Sequence, residues 1–297
     1  MRFALSDEHR ELAHAARDMF AKECPPDVAR VGDVDAIWPR VAELGVLGDP
    51  DFGMVETVLL LEEAGRAGVP GPLPETFAAL AVADDDWRAR IANGSALVTA
   101  AAPYAAYADR AAAIVSSEAL RTDMTVTAVE SVDPARPLFA VDAEPASGRG
   151  YDVGALATAA YLVGVASAMV DQAVAYAGTR EQFGRVIGSF QAVKHRLADA
   201  HIAVEFARPV VQAAAWAMDS DVDTAVRDVS HAKLRANRAA AVAAKAALQV
   251  HGAIGYTEEC DLVIWLRRTW SLTPSFGTDA AHRARIAARI GRAPEGT

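Results

Sequence analysis

Val153–Gly178 reads VGALATAAYLVGVASAMVDQAVAYAG, a run of small and aliphatic residues interrupted only by the charge of Asp171. Leu162, Val165, Met169, Ala173 and Ala177 recur at intervals of three and four, the spacing of one helix face. Two further long periodic segments follow. One runs from Phe190 to Asp219 with Val193, Leu197, Val204, Val211 and Trp216. The other runs from after Asp221 to Gly252 and is crowded with alanine between Arg238 and Leu248. Shorter helices are expected over Asp261–Thr269 and Asp279–Gly291. Long antiparallel helices with short joins predict a four-helix bundle over residues 151–297.

Upstream of Val153 the pattern changes twice. Leu97–Thr99, Ala113–Val115, Met124–Val129 and Leu138–Val141 are short runs bounded by polar residues or proline, and Thr125–Val129 alternates β-branched side chains. They predict one small sheet of four or five strands within residues 91–150, with Tyr104, Tyr107 and Phe139 as its core. Residues 1–90 read as helical. Ser6 caps a helix over Asp7–Lys22, with Phe3 before the cap and Pro25-Pro26 behind it. A short helix covers Ile37–Leu44, closed by Gly45. Another spans Met54–Ala67, with Glu62, Glu63 and Arg66 alternating between buried and wet faces. Gly68–Pro74 is a turn or extended connector. The fold class is therefore mostly α with a small β domain.

Alanine accounts for much of the 52% hydrophobic content, and it favours close helix-on-helix packing. No stretch approaches eighteen consecutive apolar residues without charge, and Met1–Arg10 has no signal-like core, so neither a membrane span nor a leader is expected. Cys24 and Cys260 form no disulfide framework and no metal motif, which fits a reducing cytoplasm. A net charge of −10 argues against a nucleic-acid partner. It leaves room for an anionic cofactor held by a few placed arginines.

The motifs sharpen this reading. Arg180-Glu181-Gln182-Phe183-Gly184-Arg185, then Ile187-Gly188, Phe190-Gln191 and Leu197-Ala198-Asp199, resembles the R-x-x-F-G…F-Q…L-A-D segment of acyl-CoA dehydrogenases. Gln249–Glu259, QVHGAIGYTEE, resembles that family's Q-x-x-G-G-x-G-Y-T-x-E run, with Ala253 in place of its second glycine. Leu44–Gly48 and Leu61–Arg66 resemble its L-G-L-L-G and L-E-E-x-G-R stretches. The resemblance implies an acyl-CoA substrate and FAD bound between subunits. Arg180 then reaches a neighbour's flavin pyrophosphate, with its forked, permanently charged donor suited to phosphate. Gln182, Phe183, Gln249, Gly252 and Thr278 are the remaining cofactor candidates, and no metal is implied.

The family's chemistry needs a carboxylate to take the proton alpha to the thioester. In most members it is the glutamate of Y-E-G-T, but here the residues are Ser275-Phe276-Gly277-Thr278, with phenylalanine at the base position. Relatives that carry the base at the first bundle helix correspond to Gly154, again no acid; Asp152 lies nearby as an alternative base or a helix cap. The sheet region is about half the family's length and lacks its flavin-contact motifs. Ser131–Arg136 resembles a segment of shortened actinobacterial members, which pair with a fuller subunit as α2β2 heterotetramers in lipid or steroid degradation. The expectation is a subunit without its own base that completes a partner's FAD site. The alternatives are a self-sufficient flavoenzyme using Asp152, a homo-oligomer, and a flavin-free assembly or acyl-CoA-binding protein.

Overall fold

The structure, a computed structural model, describes residues 5–49 and 52–290. Phe3 and Gly291, named above, lie outside them. The N-terminal third consists of α1 (Asp7–Glu23), α2 (Pro26–Val31), α3 (Val34–Glu43), α4 (Met54–Ala67), α5 (Leu73–Leu80) and α6 (Asp85–Ala92). Ser6 caps α1 as its sequence predicts: the hydroxyl accepts the His9 N–H at 3.1 Å, with Asp7 and Glu8 at the positive helix end. Helix α4 has the expected bounds, yet Glu62 and Glu63 do not divide between a buried and a wet face. Both are buried, because Arg208 and Arg17 reach in to pair with them at 2.8 and 2.7 Å. The Gly68–Pro74 connector ends inside α5, since Pro74 sits in the first turn where its missing N–H costs nothing.

The strands are β1 (Val98–Ala100), β2 (Ala105–Ala106), β3 (Ala113–Ser116), β4 (Ala119–Arg121), β5 (Val126–Val129) and β6 (Leu138–Val141). They form two three-stranded sheets, ordered β1-β3-β4 and β2-β6-β5, rather than the single sheet expected. The chain instead folds over a small core of Ala101, Ala105, Ala108 and Ile114, against which Met124, Val126, Phe139 and Val141 pack. Tyr107 is buried, as expected of a core aromatic; Tyr104 is exposed.

The remainder is α7 (Gly148–Thr179), a hairpin of β7 (Glu181–Gln182) and β8 (Arg185–Val186), α8 (Gln191–Asp219), α9 (Ala225–His251), α10 (Leu262–Leu272) and α11 (Asp279–Ile290). Helix α7 is long and apolar enough to cross a membrane by length and composition, but its most apolar stretch is wholly buried. It packs against α4, α5, α8, α9 and α10, which explains why it is apolar on every side. Two glycines allow α4 and α7 to touch backbone to backbone. A Cβ on Gly65 would lie 2.0 Å from the Tyr161 carbonyl oxygen, and one on Gly164 would lie 1.8 Å from that of Glu62. The glycine of Leu61–Arg66 is thus a packing requirement.

Buried charges fasten the sheets to the helices. Arg268 of α10 donates to Asp133 at 2.6 Å, to Tyr161 Oη at 2.7 Å and to the Val69 carbonyl at 3.2 Å. Arg136 pairs with Glu75 of α5 and donates to Ser271 Oγ at 3.2 Å. Tyr107 bridges the same loop, donating to the Ala135 carbonyl and accepting the Gly71 N–H. The Ser131–Arg136 segment therefore works as a bolt between the small sheets, α5 and α10. Removing one partner would leave an uncompensated charge inside, a change that typically costs about 3–5 kcal/mol.

Candidate functional site

At one end of the bundle the C-termini of α7 and α9 lie side by side. The Tyr176 ring stacks on His251 with centroids 4.4 Å apart, and the Arg180 N–H closes α7 on the Tyr176 carbonyl at 2.9 Å. Both helices present carbonyl ends here, so an anion gains nothing from the dipoles of these two. Arg180 is exposed, and its guanidinium makes no ion pair or hydrogen bond among the described residues. The Arg180–Arg185 motif builds the hairpin, with Gln182 paired to Arg185. Phe183 (φ 56°) and Gly184 (φ 78°) make its two-residue turn, in the positive-φ geometry that matches strand twist.

That turn thrusts Phe183 outward, 91% exposed, so it is not a core anchor. Its ring meets Phe190 edge-on at 6.1 Å, and Arg185 lies over Phe190 at 4.1 Å. The Gln182 amide donates to the Glu181 carbonyl at 2.8 Å. Gln249 is exposed, with its amide free among the described residues. Gly252 needs its φ of 65°, while a Cβ there would meet nothing within 4 Å. Beyond it, Glu258 binds Arg267 and Arg30, and the Arg267 guanidinium holds its carboxyl below the usual range. Arg180, Gln182, Phe183, Gln249 and Gly252 thus share one open end, whose unpartnered donors suit a pyrophosphate.

The opposite end is closed. Phe276, with 0% exposure, turns its ring onto Gly154: a Cβ on Gly154 would lie 2.1 Å from the ring. Positions 276 and 154, where the sequence resemblance would put a base, therefore face each other, and the phenyl ring fills the gap between them. Phe276 adopts φ 52°, donates its N–H to the Ala102 carbonyl at 3.0 Å, and bonds through its own carbonyl to His282 Nε2 at 2.9 Å. Burial pushes His282 down to about 4.

Asp152 does not cap α7, which starts at Gly148, five residues before the expected Val153. Two residues on a helix differ by roughly 200° in direction, so Asp152 points away from the Gly154 face. It pairs with Arg285, whose other nitrogen donates to Ser230 at 3.3 Å. Burial raises the Asp152 carboxyl above the ordinary carboxylate range, and Arg285 opposes that rise.

Thr278 accepts the Ala281 N–H at 3.3 Å at the head of α11. It also borders a cleft of about 590 Å³ between α9 and α10, lined by Ala241, Ala244, Leu248, Leu266, Trp270 and Pro274 with Lys245 and Asp279. From Gly154 to Tyr176 the helical rise is roughly 33 Å. Thr278 and the Arg180 group therefore stand at opposite ends of one chain. Sequence reading missed Arg285, which claims Asp152, and Glu75, a buried carboxylate next to Ser275 that Arg136 claims. Neither lies in a motif, so only the folded neighbours reveal them.

A profile of the acyl-CoA dehydrogenase C-terminal domain matches residues 147–291. The chain is 30% identical over 294 residues to the acyl-CoA dehydrogenase IpdE2 of Mycobacterium tuberculosis, covering 88% of this chain and 91% of that protein. It is 31% identical over 305 residues to FadE34 of the same organism, covering 86% of this chain and 43% of that protein. Among solved structures, the Tcur3481-Tcur3483 steroid ACAD G363A variant superposes with a TM-score of 0.86 at 22% identity, across 96% of this chain and 98% of the other. The ChsE4-ChsE5 complex from Mycobacterium tuberculosis gives 0.82 at 22% identity, across 99% and 100%. At those identities the structures speak for the fold.

Proposed function

The chain belongs to the acyl-CoA dehydrogenase family, and from that premise we propose that it is the base-less subunit of a heteromeric FAD-dependent acyl-CoA dehydrogenase. The observation that carries this reading is the Phe276 ring seated on Gly154. A subunit that acts on its own thioester needs a carboxylate and free space at that point, and this chain has a hydrocarbon plug there. The nearby carboxylates are committed elsewhere: Asp152 to Arg285, Glu75 to Arg136.

The retained polar residues support a cofactor role. Arg180, Gln182, Phe183, Gln249 and Gly252 occupy the open end, and Thr278 borders the cleft at the other. Arg180 and Thr278 stand roughly 33 Å apart along α7, so a dinucleotide that uses both does so where the open end of one subunit meets the cleft of another. Arg180 then supplies the forked donor to the pyrophosphate, Gln249 an amide donor and acceptor, and Phe183 an apolar wedge at the join. Bound FAD supplies the hydride acceptor for the reaction; the alpha proton goes to a carboxylate of the partner subunit. The heteromeric ChsE4-ChsE5 complex and the steroid ACAD match in fold, and a steroid- or lipid-derived acyl-CoA is the substrate class in keeping with them. The segments 1–90, 91–150 and 151–297 serve as helical lobe, reduced β domain and assembly bundle.

The test is dehydrogenation of acyl-CoA by the purified chain, alone and co-expressed with a full-length acyl-CoA dehydrogenase subunit that retains the base. The lone chain is expected to run roughly a hundred- to ten-thousand-fold below the complex, the worth of a general base. Full turnover by the lone chain, abolished by Asp152→Asn, would overturn this reading in favour of a relocated base.

A further inference from the structure

Lys233 of α9 has no exposed surface and lies outside every motif. Its ammonium or amine nitrogen donates to Asn237 Oδ1 at 2.8 Å and to the Thr273 carbonyl at 2.8 Å. The Asn237 amide donates in turn to Asp279 Oδ1 at 2.8 Å and to the Thr273 carbonyl at 3.3 Å. These bonds grip both ends of segment 273–279. Thr273, Pro274, Thr278 and Asp279 of that segment line the cleft, and Phe276 is its centre. His282 holds the centre through the Phe276 carbonyl.

A neutral amine satisfies both acceptors with its two N–H bonds. An ammonium adds a third N–H and a full charge, neither of which has a partner in this arrangement. The nearby counter-charge is Asp279, engaged by Asn237. Other charged or titratable groups near this point are Tyr151 of α7, whose hydroxyl lies beside Gly277, and His282 and Arg285 of α11, with Arg285 itself paired to Asp152 of α7. Burial lowers Lys233 to about 7, against the opposing pull of Asp279, so both forms are populated near neutral pH.

We infer that Lys233 is a proton-sensitive latch on the cleft wall. Protonation draws the Asp279 carboxylate from Asn237 toward the ammonium, and this shifts segment 273–279 together with the cleft it lines. The latch concerns the chain's own fold and stands whether or not the cleft takes a flavin.

Trp270, one turn before Thr273 and 47% exposed, lines the cleft and reports on it. The experiment follows the Trp270 emission, taken as wild type minus Trp270→Phe, across neutral pH in the full chain without ligand. A single transition centred near pH 7 is expected. Lys233→Met, which keeps the length of the side chain without the amine, should abolish it. Asp279→Asn should move its midpoint down, because it removes the charge that favours the ammonium. His282→Gln should leave a transition in place. A flat wild-type titration, or a transition that survives in Lys233→Met, overturns the latch. Should Lys233→Met fail to fold, an unchanged midpoint in Asp279→Asn overturns it equally.

Discussion

The two ends of α7 both carry family motifs, yet they have opposite surfaces. At the Thr179 end, Arg180 and Gln249 project free polar groups and Phe183 stands in solvent. At the Gly148 end, Phe276 is sealed against Gly154, Asp152 pairs with Arg285 and the buried Lys233 nitrogen donates to Asn237. An aromatic as exposed as Phe183 is kept at some cost to solubility, and with Arg180 and Gln249 beside it the open end reads as a surface that meets something. The closed end reads as packed core. The contrast separates residues that serve stability from residues that serve binding, and substitutions at the two ends should behave accordingly.

The largest expected difference is between the two phenylalanines. Phe276→Ala should destabilise the chain by roughly 3–5 kcal/mol in urea unfolding, as truncation of a buried aromatic does. Phe183→Ala should stay within about 0.5 kcal/mol. Equal losses would erase the distinction between the ends. Arg180→Ala should leave the unfolding midpoint in place while FAD retention in the assembled protein falls roughly tenfold to a hundredfold, the range for a hydrogen bond to a charged group. Equilibrium dialysis reads this directly, and a loss of stability without a loss of flavin would reassign Arg180 to structure.

Gly154→Ala should cost about 1–3 kcal/mol by overpacking, because its methyl must displace the Phe276 ring. Combined with Phe276→Ala, the cost should shrink by more than about 0.5 kcal/mol, the signature of contacting sites. Additive losses would show that the two do not compete for one space. A further effect concerns pH. His282 is held near 4 by burial, below its ordinary 6.5, so the native state favours the neutral ring. The unfolded chain binds the proton first as pH falls, and the stability that His282 contributes above pH 6.5 should be lost progressively toward pH 4. His282→Gln should flatten that part of the stability profile, measured by thermal unfolding in matched buffers.

Much of the architecture was legible because it rests on local pattern. The Ser6 cap, the Met54–Ala67 helix and the three long bundle helices follow from capping chemistry and a 3.6-residue period. The Arg180–Arg185 motif was legible as a motif and not as a hairpin: only the positive φ of Phe183 and Gly184 shows that it turns. Strands β2 and β4, two and three residues long, are too short for any alternation to register. Glu62 and Glu63 looked half exposed because their partners, Arg208 and Arg17, are far away in the chain.

By itself the sequence determined the order of elements, the family segments and the absence of a glutamate at position 276, since all of these are written in single residues and short spacings. Tertiary structure decided what those residues face. It set Phe276 on Gly154, gave Asp152 to Arg285, buried Lys233 beneath the cleft wall, and put Arg180 and Thr278 at opposite ends of a long helix. Such facts depend on contacts between residues 40 positions apart, as with Lys233 and Thr273, or 133, as with Asp152 and Arg285. No local period encodes them, because they arise only when the helices pack.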